Sequence, residues 1–139
     1  MAIVIPANVA PGLGAASTTI ALQKPHVARY FPEIESCHSG TINLHLAAPL
    51  EIQLPDIVTP PIEWHPDHPG HTERFGITKI ALELPLESPL QEAWIYTPEQ
   101  SPHRFNAHIA EILARTLPGL TNDAPCKVHI TRPLVMIVI

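Results

Sequence analysis

The sequence predicts a small, mainly β or α+β domain, barrel-like in plan, built from many short elements. Three observations carry that reading. Seventeen prolines are spread through 139 residues, so long helices are repeatedly cut. Several stretches alternate apolar and polar residues with the period of a strand, and only one stretch shows good helical spacing. The length suits a single domain over 1–139. At 45% hydrophobic and 15% charged, the chain can bury a core and is not a disordered type.

In chain order, Ala2–Ile5 reads as a first strand ended by Pro6. The small-residue loop Pro11–Ser17 leads into Thr18–Leu22, which reads as a second strand. Between Lys24 and Ile34, the residues Val27, Tyr30, Phe31 and Ile34 share one helical face, and Pro25 and Pro32 hold that helix to about two turns. Ser39–Leu46 alternates: Ile42, Leu44 and Leu46 fall on one side of a strand, Thr41, Asn43 and His45 on the other. Leu50–Leu54 alternates too and is placed to pair back after the turn at Ala47–Pro49. Residues 55–73 are irregular, broken by five prolines. In Ile77–Leu84 the side chains of Ile80, Leu82 and Leu84 oppose Lys79, Ala81 and Glu83, and Ala93–Tyr96 makes a short strand. The helix is predicted from Asn106 to Leu117, with Ile109, Ile112, Leu113 and Leu117 as its stripe, Asn106 or Ser101-Pro102 as its start signal and Pro118-Gly119 as its stop. Cys126–Ile130 and Leu134–Ile139 close the chain as strands.

Charge narrows the partners. Thirteen acidic residues against eight basic ones give −5, with no basic block, which argues against nucleic acid. An anionic ligand would have to be held by backbone N–H groups and a metal. Cys37 and Cys126 make no disulfide framework, so a reduced, cytoplasmic location is expected. Met1–Pro6 lacks the basic start of a signal peptide, and Leu134–Ile139 is far shorter than a membrane span, so no membrane partner is expected.

Candidate chemistry begins with Thr41 and Asn43, on one face and just after Gly40, where the backbone can approach a ligand closely. A hydroxyl and an amide oxygen can complete the shell of a hard cation such as Mg²⁺ whose charge is met mostly by phosphates; the alternative is the wet face of an ordinary half-buried strand. His65, His68 and His71, flanked by Glu63, Asp67 and Glu73, invite a zinc reading. Pro66 and Pro69 forbid a regular helix there, which favours an exposed loop or a mobile lid. Glu111 and Arg115 stand four apart, as an exposed helical pair would. Cys37 reads as a free thiol. Trp64, Trp94, Tyr96 and Phe75 suit either a core or stacking on a planar ring.

The order of these motifs resembles the CTP-dependent riboflavin kinases, chiefly archaeal enzymes. The resemblance runs from about Val9 to Ile130: a Gly-x-Gly loop at Gly12-Leu13-Gly14, a short helix with Phe31, Gly40-Thr41-Ile42-Asn43-Leu44, Phe75-Gly76 before a long strand, Ala110-Glu111-Ile112-Leu113, and a last strand after Gly119-Leu120. It implies a six-stranded cradle-loop β-barrel with one or two short helices. It further implies that Thr41 and Asn43 coordinate Mg²⁺, that Gly12, Leu13, Gly14 and Ala15 wrap the nucleotide phosphates with backbone N–H groups, and that Glu111 approaches the flavin or the acceptor hydroxyl. The reaction implied is transfer of phosphate from CTP to riboflavin, giving FMN and CDP. The sequence departs from the family pattern where Ala15 replaces an acidic residue and Ser39 a proline. The alternative is a non-catalytic nucleotide-binding, flavin-binding or protein-interaction domain on the same barrel.

Overall fold

Apolar residues at every second position decide how these strands meet. The computed structural model describes residues 3–10, 16–85, 87–101, 103–115, 121, 123–130 and 135–137. In order they form β1 (Ile3–Ala10), α1 (Ala16–Val27), a 3₁₀ turn (Pro32–Ser36), β2 (Ile42–Leu46), β3 (Leu50–Ile52), β4 (Ile57–Val58), β5 (Phe75–Leu84), β6 (Glu87–Pro98), β7 (Ile109–Leu113), β8 (Pro125–Ile130) and β9 (Val135–Ile137). The protein is mostly β, of the β or α+β class.

Six strands form a closed antiparallel ring. The order β5–β6–β7–β2–β1–β8 returns to β5, because β8 pairs with both β1 and β5. β4 adds to β5 outside the ring, and β3 pairs with β9 in a separate two-stranded sheet. Alternation then sorts the side chains. Ile5, Leu44, Ile80, Leu82, Ile95, Ile112 and Val128 pack together inside. Phe75, Ile77, Trp94, Tyr96 and Leu113 form a second cluster with Ile20, Val27, Phe31 and Ile34 from α1 and the 3₁₀ turn. The second cluster therefore lies on the outer face of β5, β6 and β7, with the helical segment packed over it. Burying both faces of these central strands gives near-continuous apolar runs.

Several elements differ from the sequence reading, each for a physical reason. Pro6 lies within β1 rather than ending it: its carbonyl accepts the Ala47 N–H, just past the end of β2, so its missing N–H faces a place where the ladder has stopped. Thr18–Leu22 is part of α1, not a strand. Ile20, Gln23 and Val27 are its buried positions, at i, i+3 and i+7, and the polar Gln23 hid that stripe while Thr18-Thr19-Ile20 read as β-branched. Lys24–Ile34 is not one helix; α1 ends at Val27, whose carbonyl takes the N–H of both Tyr30 and Phe31. Tyr30 is left exposed, while Val27, Phe31 and Ile34 are buried as predicted. Leu50–Ile52 pairs with β9 and not back onto β2. The strand predicted over Ala93–Tyr96 extends to Glu87–Pro98 along β5.

The largest correction is to the helix predicted over 106–117, of which 116 and 117 lie outside the described residues. Ile109–Leu113 is strand β7, between β2 and β6, and not a helix. Ala110 and Ile112 face the ring interior and Leu113 the outer cluster. A short apolar run buried on both sides satisfies helical spacing by accident. Arg115 consequently pairs with Glu92 and Ser36 instead of Glu111.

Gly76 is fixed by close approach. A Cβ there would collide with the Thr97 hydroxyl oxygen across the strand pair and lie 3.1 Å from the Pro55 ring. Gly76→Ala is therefore expected to cost about 1–3 kcal/mol by overpacking. Thermal melting should recover much of the loss in Gly76→Ala/Thr97→Ala, and equal melting of the single and double variants would refute the clash.

Candidate functional site

On the outer face of β2, β7 and β6 the register sets three polar side chains in a row. Asn43 of β2 stands directly opposite Glu111 of β7. The β6–β7 register pairs Ile95 with Ile112, so one step further along, Tyr96 falls beside Glu111. Thr41 precedes β2 on the face of Asn43. Same-face partners on neighbouring strands stand about 5 Å apart. Thr41, Asn43 and Glu111 thus meet in one cavity of about 250 Å³, roofed by Thr19, Ile20 and Gln23 of α1 and closed laterally by Trp64 and Glu73.

The cavity's hydrogen bonding is incomplete in a specific way. The Thr41 hydroxyl oxygen and the Asn43 amide oxygen are buried and have no hydrogen-bond partner among the described residues. Each such group costs about 1–3 kcal/mol if nothing fills its shell. Neighbouring groups are well fixed. Tyr96 donates its hydroxyl to Gln23 Oε1 at 2.8 Å, tying the helical roof to β6; burial holds the Tyr96 hydroxyl far above its ordinary range, so it stays a donor. Glu73 accepts from the Trp64 indole N–H at 3.0 Å and from the Gln100 N–H at 2.7 Å. Ser101 donates to Glu111 Oε2 and accepts from the His103 N–H. Burial raises the Glu111 carboxyl above its ordinary value of 4.5; the Ser101 bond and His103 pull it down, and Glu73 pushes it up.

A second, larger cleft of about 460 Å³ abuts the first. The two share Tyr96, Pro98, Ser101, His103 and Glu111 as a common wall. Arg104 lies over the ring of Phe105, which is 89% exposed at the margin of this cleft.

The structure brings Thr41, Asn43 and Glu111 together, the last from a strand rather than the predicted helix. Gly12, Leu13, Gly14 and Ala15 lie outside the described residues. His65, His68 and His71 sit in successive turns with ring centroids 4.4 and 6.0 Å apart. No group of three or more His, Cys, Asp or Glu able to hold a metal occurs among the described residues. His45 is exposed, near His108. Of the aromatic candidates, Trp64 and Tyr96 line the cavity, whereas Phe75 and Trp94 are core: Phe75 stacks on Tyr96, and Trp94 meets Phe31 edge-on. Cys37 is buried in the outer cluster, its thiol pushed up by burial. Sequence reasoning missed Gln23, Ser101 and His103 and gave Glu73 only to the histidine loop. A buried glutamine in an apolar stripe was the one usable signal.

Compared with known proteins, the chain matches no family model and no curated protein. No helix among the described residues is long and apolar enough to cross a membrane.

The raised Glu111 carboxyl fixes the sign of a pH effect. The unfolded carboxyl loses its proton near 4.5 and the folded one only at higher pH. Its contribution to stability is complete below the unfolded value and is lost as pH rises through the folded one. In metal-free buffer, denaturant midpoints should fall as pH rises above about 4.5, and Glu111→Gln should flatten that slope. A slope unchanged in the variant would assign it to other groups.

Proposed function

We propose that the protein is a Mg²⁺-dependent nucleotide phosphotransferase on a cradle-loop barrel, similar to the CTP-dependent riboflavin kinases, transferring phosphate from CTP to riboflavin. One observation carries this reading: two buried oxygens with no hydrogen-bond partner among the described residues, Thr41 Oγ1 and Asn43 Oδ1, share a cavity with the half-buried carboxylate of Glu111. The closed ring of six antiparallel strands supports the barrel. The motif order in the sequence supports the substrates.

The donor set fits a hard cation. Thr41 and Asn43 would hold Mg²⁺ through neutral oxygens, and the ion when bound supplies charge neutralisation for the phosphates. By the sequence resemblance, Gly12, Leu13, Gly14 and Ala15 would offer backbone N–H groups to the same phosphates. Glu111 is held by Ser101 through Oε2, which leaves Oε1 to accept the proton of the acceptor hydroxyl. Burial raises its carboxyl, which makes it a stronger base than an exposed glutamate. The freed hydroxyl oxygen forms the new P–O bond, the β–γ bridging bond of the donor breaks, and the products are FMN and CDP. Both cavities border Glu111, so donor and acceptor can lie on opposite sides of the group that takes the proton. Positioning of this kind supplies much of the rate in phosphoryl transfer.

Isothermal titration with CTP, ATP, GTP and riboflavin in Mg²⁺ tests the reading, followed by an assay for FMN. CTP and riboflavin should bind, and Thr41→Ala/Asn43→Ala should weaken CTP by at least about tenfold. Binding of neither a nucleotide nor riboflavin would overturn it.

A further inference from the structure

We infer that this cavity loads its divalent cation before, and independently of, the phosphate-bearing ligand, on Thr41 and Asn43, with Glu111 and Glu73 as the supporting charge. The inference rests on the phosphotransferase reading of the same cavity, but its content is different: the nucleotide is not what brings the metal.

Charge is the first argument. Among the described residues the cavity is lined by two carboxylates, Glu73 and Glu111, with His103 beside them, and by neither lysine nor arginine. Glu73 is 4% exposed, and its two oxygens are held by neutral N–H donors, so its hydrogen bonds are met while its charge is not. Ser101, likewise neutral, is the group that donates to Glu111. A bare triphosphate entering here would meet two carboxylates at low local dielectric, where like charges repel strongly. A cation seated first removes that repulsion.

Geometry is the second argument, and it is independent of charge. Asn43 is 4% exposed, and its amide oxygen has no partner among the described residues. Glu111 is its direct cross-strand neighbour on the same face. A hydroxyl oxygen and an amide oxygen therefore share the cavity with a carboxylate on the neighbouring strand, and the β2–β7 pairing holds Asn43 and Glu111 in place without a ligand. Neutral oxygens alone would wait for phosphates to supply charge. A carboxylate beside them supplies that charge from the protein, so the site is competent for a hard cation by itself. Glu73, anchored by Trp64 and Gln100, acts through the field rather than by contact.

The test uses Mn²⁺ as probe, titrated into the metal-free full chain without nucleotide, with bound metal read by electron paramagnetic resonance. The expected result is one Mn²⁺ per chain, weakened at least about tenfold in Glu111→Gln and about tenfold in Glu73→Gln. Thr41→Val is a second variant that leaves every carboxylate in place and should also weaken Mn²⁺. Melting in metal-free buffer separates binding from folding: Mn²⁺ should raise the wild-type melting temperature and leave that of Glu111→Gln nearly unchanged. Mn²⁺ that binds only when CTP is present would overturn the inference and leave the phosphotransferase reading standing. Mn²⁺ that binds alone but equally well in Glu111→Gln and Thr41→Val would overturn it by placing the ion elsewhere. Failure to bind Mn²⁺ with or without CTP would overturn both.

Discussion

Ring closure is the constraint on which the rest of the molecule depends. β5 pairs with β6 on one side and β8 on the other, so six strands share their backbone hydrogen bonds without a free edge. Closure makes the two-residue period of each strand decisive: one set of side chains fills the interior, and the next faces outward. On β5, β6 and β7 the outward set is itself apolar, with Phe75, Ile77, Trp94, Tyr96 and Leu113, so it must be covered. α1, the 3₁₀ turn and the 62–73 segment provide that cover. The cavity is the part of the covered face where the outward residues turn polar, at Asn43 and Glu111.

That arrangement concentrates unfavourable terms in one place. Two oxygens without partners among the described residues, a half-buried carboxyl displaced from its ordinary titration and a buried carboxylate all border the same space. A domain of this size has a net stability of only about 5–15 kcal/mol, so such a concentration is a considerable share of the margin. Surrounding bonds hold the geometry rigid, notably Tyr96 to Gln23 and Glu73 to Trp64 and Gln100. Unmet polarity held in a rigid frame is the feature that motivates the proposed ligand there.

The sequence made some of this legible and hid the rest for reasons that residues explain. The alternation of Ile42, Leu44 and Leu46 against Thr41, Asn43 and His45 was correct, as was that of Ile80, Leu82 and Leu84 against Lys79, Ala81 and Glu83. Both strands have one apolar and one mixed face, so the period of two stands out. β7 has no polar face except Glu111, and its apolar spacing matched a helix instead. α1 carries Gln23 in its buried stripe and a β-branched run at its start, and so read as a strand. The site was half legible: Thr41 and Asn43 sit within one alternating stretch, whereas Glu73, Ser101 and Gln23 arrive from distant segments that only the closed ring brings near.

The seam of the ring bears on how the chain can fold during synthesis. β1, at residues 3–10, is flanked by β2 and β8, and β8 spans 125–130. The β1–β8 pairing closes a loop of more than a hundred residues, a slow contact with an entropic cost that nearer pairings such as β5–β6 largely avoid. Until β8 has left the ribosome, β1 and the 81–83 stretch of β5 each present an unpaired edge, and β1 waits for a strand made much later. During that interval the nascent chain is a curved open sheet with two sticky margins, the period when a holding chaperone would matter most to it.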